Sequence, residues 1–213
     1  MPVTEIVFAH FKDDASLFEE RRRAIPEAFK FFSTVQGTLS QNAGIVLREN
    51  NVDISKEERA VLALEWESLE QFYDVIKGPG FADFRQKIAP FAAKPATIET
   101  YSNDGRSIDA ITTPVTQILR VKPSADIKAC EAEWAAIKDL IKGSSGEARF
   151  YSGVGVGSVG GVEGSFLGLI GWDSLTACEK TWSTPSAKER LNKLLATGEA
   201  SDHIVQLKCI QKP

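Results

Sequence analysis

The feature that most constrains this 213-residue chain is an internal duplication. "PVTEIVF" at Pro2–Phe8 recurs as "PVTQILR" at Pro114–Arg120, and "WESLEQFYDVIKGP" at Trp66–Pro79 recurs as "WDSLTACEKTWSTP" at Trp172–Pro185. Both landmarks keep their order, and Trp and Pro keep their separation within the second. We read residues 1–106 and 107–213 as two copies of one unit, joined by the polar linker "SNDGRSIDAITT", whose Asn-Asp-Gly is a turn signal. Each copy gives the same element sequence. A β-branched and aromatic run ("VTEIVFAHF") predicts a strand, "SLFEERRRAIPEAFKFF" a helix, "AGIVLREN" and "RAVLALEW" two strands, the segment after Ser68 a helix broken at Gly78-Pro79-Gly80, and "ATIETYS" a closing strand. The order β-α-β-β-α-β is the ferredoxin-like split motif, so the expected fold class is α+β with two tandem units.

Local signals refine this. Ser16 with Glu19, and Ser68 with Gln71, have capping-box spacing, and Pro26 is expected to bend or split the first helix. In the second copy Ile127, Cys130, Trp134, Ile137 and Ile141 form one apolar stripe that Gly143 is expected to stop. Gly155, Gly157 and Gly160 fit the spacing G-x-G-x-x-G, but the strand-like "SFLGLIGW" follows them where a dinucleotide site needs a helix N-terminus to hold the pyrophosphate. A glycine-rich hairpin is therefore expected rather than a nucleotide loop.

Bulk properties exclude several function classes. The net charge is −4, and the one basic run, Arg21–Arg23, sits among Glu19, Glu20 and Glu27, which leaves no electrostatic footprint for nucleic acid or an anionic membrane. No segment approaches a membrane span, and the N-terminus lacks the pattern of a signal peptide. Three cysteines, Cys130, Cys178 and Cys209, without metal-ligand spacing fit free thiols in a cytoplasmic protein. His10 and His203 are the only histidines and make no metal site by themselves.

"VTEIVFAHFKDD" and "LEWESLEQFYDVIKGPGFADF" resemble segments of the dimeric α+β barrel superfamily, both stress-responsive A/B barrel proteins and antibiotic-biosynthesis monooxygenase domains. The resemblance implies two ferredoxin-like units packed sheet to sheet, here within one chain. It also implies a cofactor-free oxygenase or cyclase acting on aromatic, polyketide-type compounds. Positions where that family carries functional His or Tyr hold Glu5 and Gln117 on the first strand of each copy, and Val75, Phe81, Thr181 and Ala187 on and after the second helix. The family's imidazole chemistry, haem ligation included, is thus missing from both copies, whereas its cavity Trp is kept as Trp66 and Trp172.

Carboxylates inside strands need partners or a raised pKa, and a raised pKa suits a general base. Glu5, Glu65 and Glu99 are such carboxylates, with Gln117, Gly171 and Gln206 expected in their places in the second copy. We take Glu5, His10 and Tyr73 as catalytic candidates, and Trp66, Phe81, Trp172, Tyr151 and His203 as candidate walls of a pocket for a small hydrophobic, aromatic molecule. The expected activity is a cofactor-independent oxygenation or cyclisation without cofactor or metal, in a monomeric pseudo-dimer or a homodimer. The alternatives are a binding or stress-response barrel that has lost the chemistry, and a structural subunit.

Overall fold

The computed structural model describes residues 1–57, 59–102, 105–145, 148–157 and 159–211. The first unit contains β1 (Val3–His10), α1 (Phe18–Ser33), β2 (Thr38–Glu49), β3 (Val52–Asp53), β4 (Arg59–Trp66), α2 (Leu69–Lys77), α3 (Pro79–Ile88) and β5 (Thr97–Ser102). A short α4 (Ile108–Ile111) precedes the second unit of β6 (Val115–Pro123), α5 (Ile127–Ser145), β7 (Arg149–Gly155), β8 (Phe166–Trp172), α6 (Leu175–Trp182), α7 (Pro185–Leu195) and β9 (Gly198–Gln211). The strands run β2-β4-β1-β5-β7-β8-β6-β9, and β9 pairs back onto β2 to close an eight-stranded barrel. Each unit contributes four consecutive strands in ferredoxin-like order, so the chain is an intrachain α+β barrel of two tandem units.

Alternation along each strand divides the side chains between two environments. One set fills the barrel, including Ile6, Phe8, Ala63, Ile118, Leu169 and Val205. The other set meets the helices: Val3, Leu62, Leu64 and Trp66 pack under α1–α3, and Leu119, Phe166, Ile170 and Trp172 pack under α5–α7. The α5 stripe behaves as its spacing predicts, with Cys130, Trp134, Ile137 and Ile141 all buried, although the helix runs to Ser145. Among the described residues no helix is long and apolar enough to cross a membrane.

The two seams between the units differ. β2 and β9 pair from Gln41↔Gln211 to Glu49↔His203, while β5 and β7 pair only at Tyr101↔Gly155 and Ser102↔Val154. The glycine-rich segment after β7 supplements the short seam, because Val156 N–H donates to Thr100 C=O. It is a hairpin connection, as its context requires, and Gly157 adopts φ 80°.

Several local expectations are corrected. The linker is not simply polar: α4 drives Ala110 and Ile111 into one end of the barrel. Gly171 makes room for it, since a Cβ there would lie 2.8 Å from Ala110 C=O and 2.6 Å from Thr113. The expected Asn-Asp-Gly turn falls largely outside the described residues. Pro26 neither splits nor ends α1, because it and Arg22, whose carbonyl it leaves without a helical partner, are on the exposed side. Ser16 does not cap α1 directly. Asp14 accepts from Ser16 N–H and opens a 3-10 turn that leads into the helix. Ser68 caps α2 as expected.

Candidate functional site

Strand register shows which residues of the two units correspond. β1 aligns Val7 with Ile98, β6 aligns Leu119 with Asp202, and Val7 and Leu119 are repeat equivalents. Ile98 therefore corresponds to Asp202, and Glu99 corresponds to His203 rather than to Gln206. This places a carboxylate on the helix-facing side of the second unit where the first unit has isoleucine.

That carboxylate borders a cavity of about 260 Å³ between the outer sheet face and α6 and α7. Its walls include Gln117, Leu175, Cys178, Trp182, Leu191 and Ile204. Inside it a chain of side chains fixes one orientation. Trp182 Nε1 donates to Gln117 Oε1 at 2.8 Å, which turns the amide so that Gln117 Nε2 donates to Asp202 Oδ1 at 2.9 Å. Burial pushes the Asp202 carboxyl up to about 6, with the Gln117 hydrogen bond opposing the rise. Burial also holds the Cys178 thiol up at about 12, so it stays protonated at neutral pH. Asp202 is held from behind by the first unit. Asn50 N–H donates to Asp202 C=O at 2.7 Å, and Asp202 N–H donates to Asn50 Oδ1 at 3.0 Å. Asn50 and Asn51 have φ of 48° and 67°, the left-handed pair of a type I′ hairpin turn between β2 and β3. Arg48, on the same strand, reaches the cavity mouth and pairs with Glu179 of α6.

In the first unit the corresponding space is filled. Cys178 is replaced by Phe72, Glu179 by Tyr73, Asp202 by Ile98 and Trp182 by Ile76, all packed into the helix-side core. The place of Arg48, which pairs with Ile204, is taken by Val156, which pairs with Thr100; Val156 and Val159 lie against the same core. The loop sits so tightly that a Cβ on Gly157 would be 2.3 Å from the Tyr73 hydroxyl. A groove of about 410 Å³ remains on this unit's surface, bordered by Val35, Gln36, Gln71, Asp74 and Val75.

The residues singled out from sequence do not converge on one pocket. Glu5 and Trp66 do meet: Trp66 Nε1 donates to Glu5 Oε2 at 2.8 Å in the helix-side core of the first unit, and burial raises the Glu5 carboxyl to about 7. Tyr73 and Phe81 belong to the same core, with Tyr73 under the glycine-rich loop. His203 and His10 are on barrel-side positions. The His203 ring is buried 4.5 Å from Phe8, its Nε2 is 2.9 Å from Glu49 Oε1, and burial lowers it to about 4. Burial and the nearby Arg59 also lower His10. Tyr151 lies at the opposite end of the barrel and accepts from the Thr4 hydroxyl at 3.1 Å. Trp172 backs the open cavity, edge-on to Trp182 at 6.1 Å. Glu65 and Glu99 are buried by partners rather than wetted: Ser107 and Ile108 N–H donate to Glu65, and Tyr101 and Arg120 donate to Glu99. No imidazole faces either helix-side core, so a histidine-held haem does not fit the residues present there.

No protein-family model and no curated protein matches the sequence. Solved structures do match its fold. A protein described as anthrone oxidase-like aligns with a TM-score of 0.66 at 14% identity, over 99% of this chain and 94% of its own. A candidate chlorite dismutase aligns at 0.62 and 11%, over 97% and 94%. A candidate monooxygenase of Lactobacillus acidophilus aligns at 0.59 and 13%, over 97% and 93%. The chain shares with them the fold of a single-chain α+β barrel, and each match spans both units.

Asp202 and Arg48 were not legible as site residues. Asp202 is one polar residue among several in "ASDHIVQLKC", and its inward direction depends on the register of β9 against β6. Arg48 belongs to the other unit and reaches the cavity only through the β2–β9 seam.

Proposed function

We propose that the second unit houses a small-molecule oxygenase site in which Asp202 is the general base and Trp182 the aromatic wall. The observation that carries the reading is the orientation chain Trp182–Gln117–Asp202 in a cavity whose apolar wall is Leu175, Cys178, Trp182, Leu191 and Ile204. A carboxyl raised to about 6 is mostly ionised at neutral pH yet more basic than an ordinary aspartate, the balance a general base needs. A cavity of this size suits a compact ring compound.

The reaction class is oxidation of an acidified ring methylene or phenol by O2. Asp202 takes a proton from the methylene carbon, and the carbanion passes one electron to O2. The radical pair then joins through a C–O bond as a peroxide anion, which takes the proton back from Asp202 to become a hydroperoxide and loses water to leave a carbonyl. For anthrone the balance is one anthrone and one O2 to one anthraquinone and one water. The fold shared with the anthrone oxidase-like protein makes anthrone the natural first probe.

The test is an oxygen-electrode assay with anthrone and product analysis, on the parent chain and Asp202→Asn. The reading expects one O2 consumed per anthraquinone formed, and a loss of about 100-fold or more in the variant. Equal rates in the two proteins would remove Asp202 from the mechanism. A second reading, binding without chemistry, draws on Val75 and Thr181 at the family's imidazole positions, and it expects anthrone to be recovered unchanged.

A further inference from the structure

We infer that the cavity of the second unit selects ring compounds carrying a carboxylate, which Arg48 grips at the mouth after releasing Glu179. The inference rests on the reading of this cavity as a substrate site and adds the substrate's second functional group.

The argument starts from the contrast between the units. At the four positions where the cavity is open, Arg48, Cys178, Glu179 and Asp202, the first unit has Val156, Phe72, Tyr73 and Ile98. Cys178 in place of Phe72 removes a ring from this space. Room alone does not call for an arginine and a glutamate as well, because a wholly apolar ligand would be served by Val156 and Tyr73. A guanidinium that lines a cavity presents a planar fork of donors, and its best complement is a carboxylate.

The pair as it stands is a surface arrangement that is cheap to exchange. The Arg48 side chain is 28% exposed and Glu179 is 43% exposed, and ion pairs of that kind add little to stability. An incoming carboxylate can take Arg48 while Glu179 turns to water, with one charge-assisted contact replacing another.

Geometry ties this grip to the chemistry. Arg48 is across from Ile204 in the β2–β9 seam, and Asn50, two residues beyond it, holds the backbone of Asp202 in both directions. The charged anchor and the base therefore sit on one rigid hairpin-to-strand junction. A ligand held by its carboxylate would present its ring to Trp182 and its acidic hydrogen to Asp202. A ring compound without the carboxylate would enter the same space without that register.

Calorimetric titration with two probes tests this: 2-naphthol and 3-hydroxy-2-naphthoate, which share a ring system and hydroxyl and differ by one carboxylate. In the parent chain the acid should bind about tenfold tighter. Arg48→Met, which keeps the length and loses the fork, should erase that preference. Glu179→Gln, which removes the competing carboxylate and leaves Arg48 in place, should strengthen binding of the acid further. Equal affinities in the parent chain, or a preference that survives Arg48→Met, would overturn the inference and leave the cavity reading intact. Failure of both probes to bind at millimolar concentration would overturn the inference and the cavity reading together. Circular dichroism of each variant separates loss of grip from loss of fold.

Discussion

Replacing Glu5 with Gln should change how stability depends on pH and leave the proposed chemistry untouched. Glu5 is 3% exposed, and the Trp66 indole is its hydrogen-bond donor. Burial raises the carboxyl to about 7 in the folded chain, against an ordinary 4.5. A group raised on folding binds its proton more tightly when folded. Its stabilising contribution is complete below pH 4.5 and is lost as the pH climbs through 7. At about 1.4 kcal/mol for each tenfold change in proton affinity, the full swing is about 3 kcal/mol, most of it between pH 5 and pH 8. Gln keeps an oxygen to accept from Trp66 and never ionises. Urea unfolding followed by tryptophan fluorescence at pH 5 and pH 8 should therefore show a fall in stability smaller by about 2 to 3 kcal/mol in Glu5→Gln than in the parent. Asp202, also raised by burial, loses stabilisation in the same direction in both proteins and cancels from the difference. Identical pH dependence would refute the assignment of a buried, protonatable Glu5. Turnover that collapses in this variant while its stability holds would return the base to the first unit.

Cys178→Phe copies Phe72 of the filled unit and should abolish binding of 2-naphthol in calorimetry, with full binding in the variant counting against the cavity. Trp182→Phe removes the donor that orients the Gln117 amide, so oxidation of anthrone should slow by about tenfold. The acid limb of its rate profile should also move from its parental position near pH 6, a change that simple loss of packing would not produce. By proton NMR the His203 ring should remain neutral down to about pH 4, because burial outweighs the Glu49 contact. A midpoint near 6.5 would contradict its placement inside the barrel.

The fold was legible because a duplicated pattern is read twice. The paired tryptophans, the strand runs and the α5 stripe each report a local period, and closing two such sheets into a barrel follows from their apolar faces. Glu5 was singled out as a carboxylate inside a strand, and the structure buries it against Trp66 in the first unit, away from the candidate site. What alternation along one strand cannot give is the face it presents, so Glu5 and Trp66 share the helix side with α2 while Glu65 turns to the barrel. Asp202 and Arg48 stayed hidden for a different reason. They are brought together by pairing between strands more than 150 residues apart, a distance no local pattern spans. The plug formed by Ala110 and Ile111 was masked by its polar neighbours, since a four-residue helix is too short to show a period.

The most direct test of the central claim, that the ligand site is the cavity of the second unit, is a crystal structure of the chain soaked with 6-bromo-2-naphthol. Anomalous scattering from bromine fixes the ring's position without prior assumption. A peak between Trp182, Leu191 and Asp202 is the expected result. A peak beneath α2 and α3 of the first unit, or within the barrel, would contradict it.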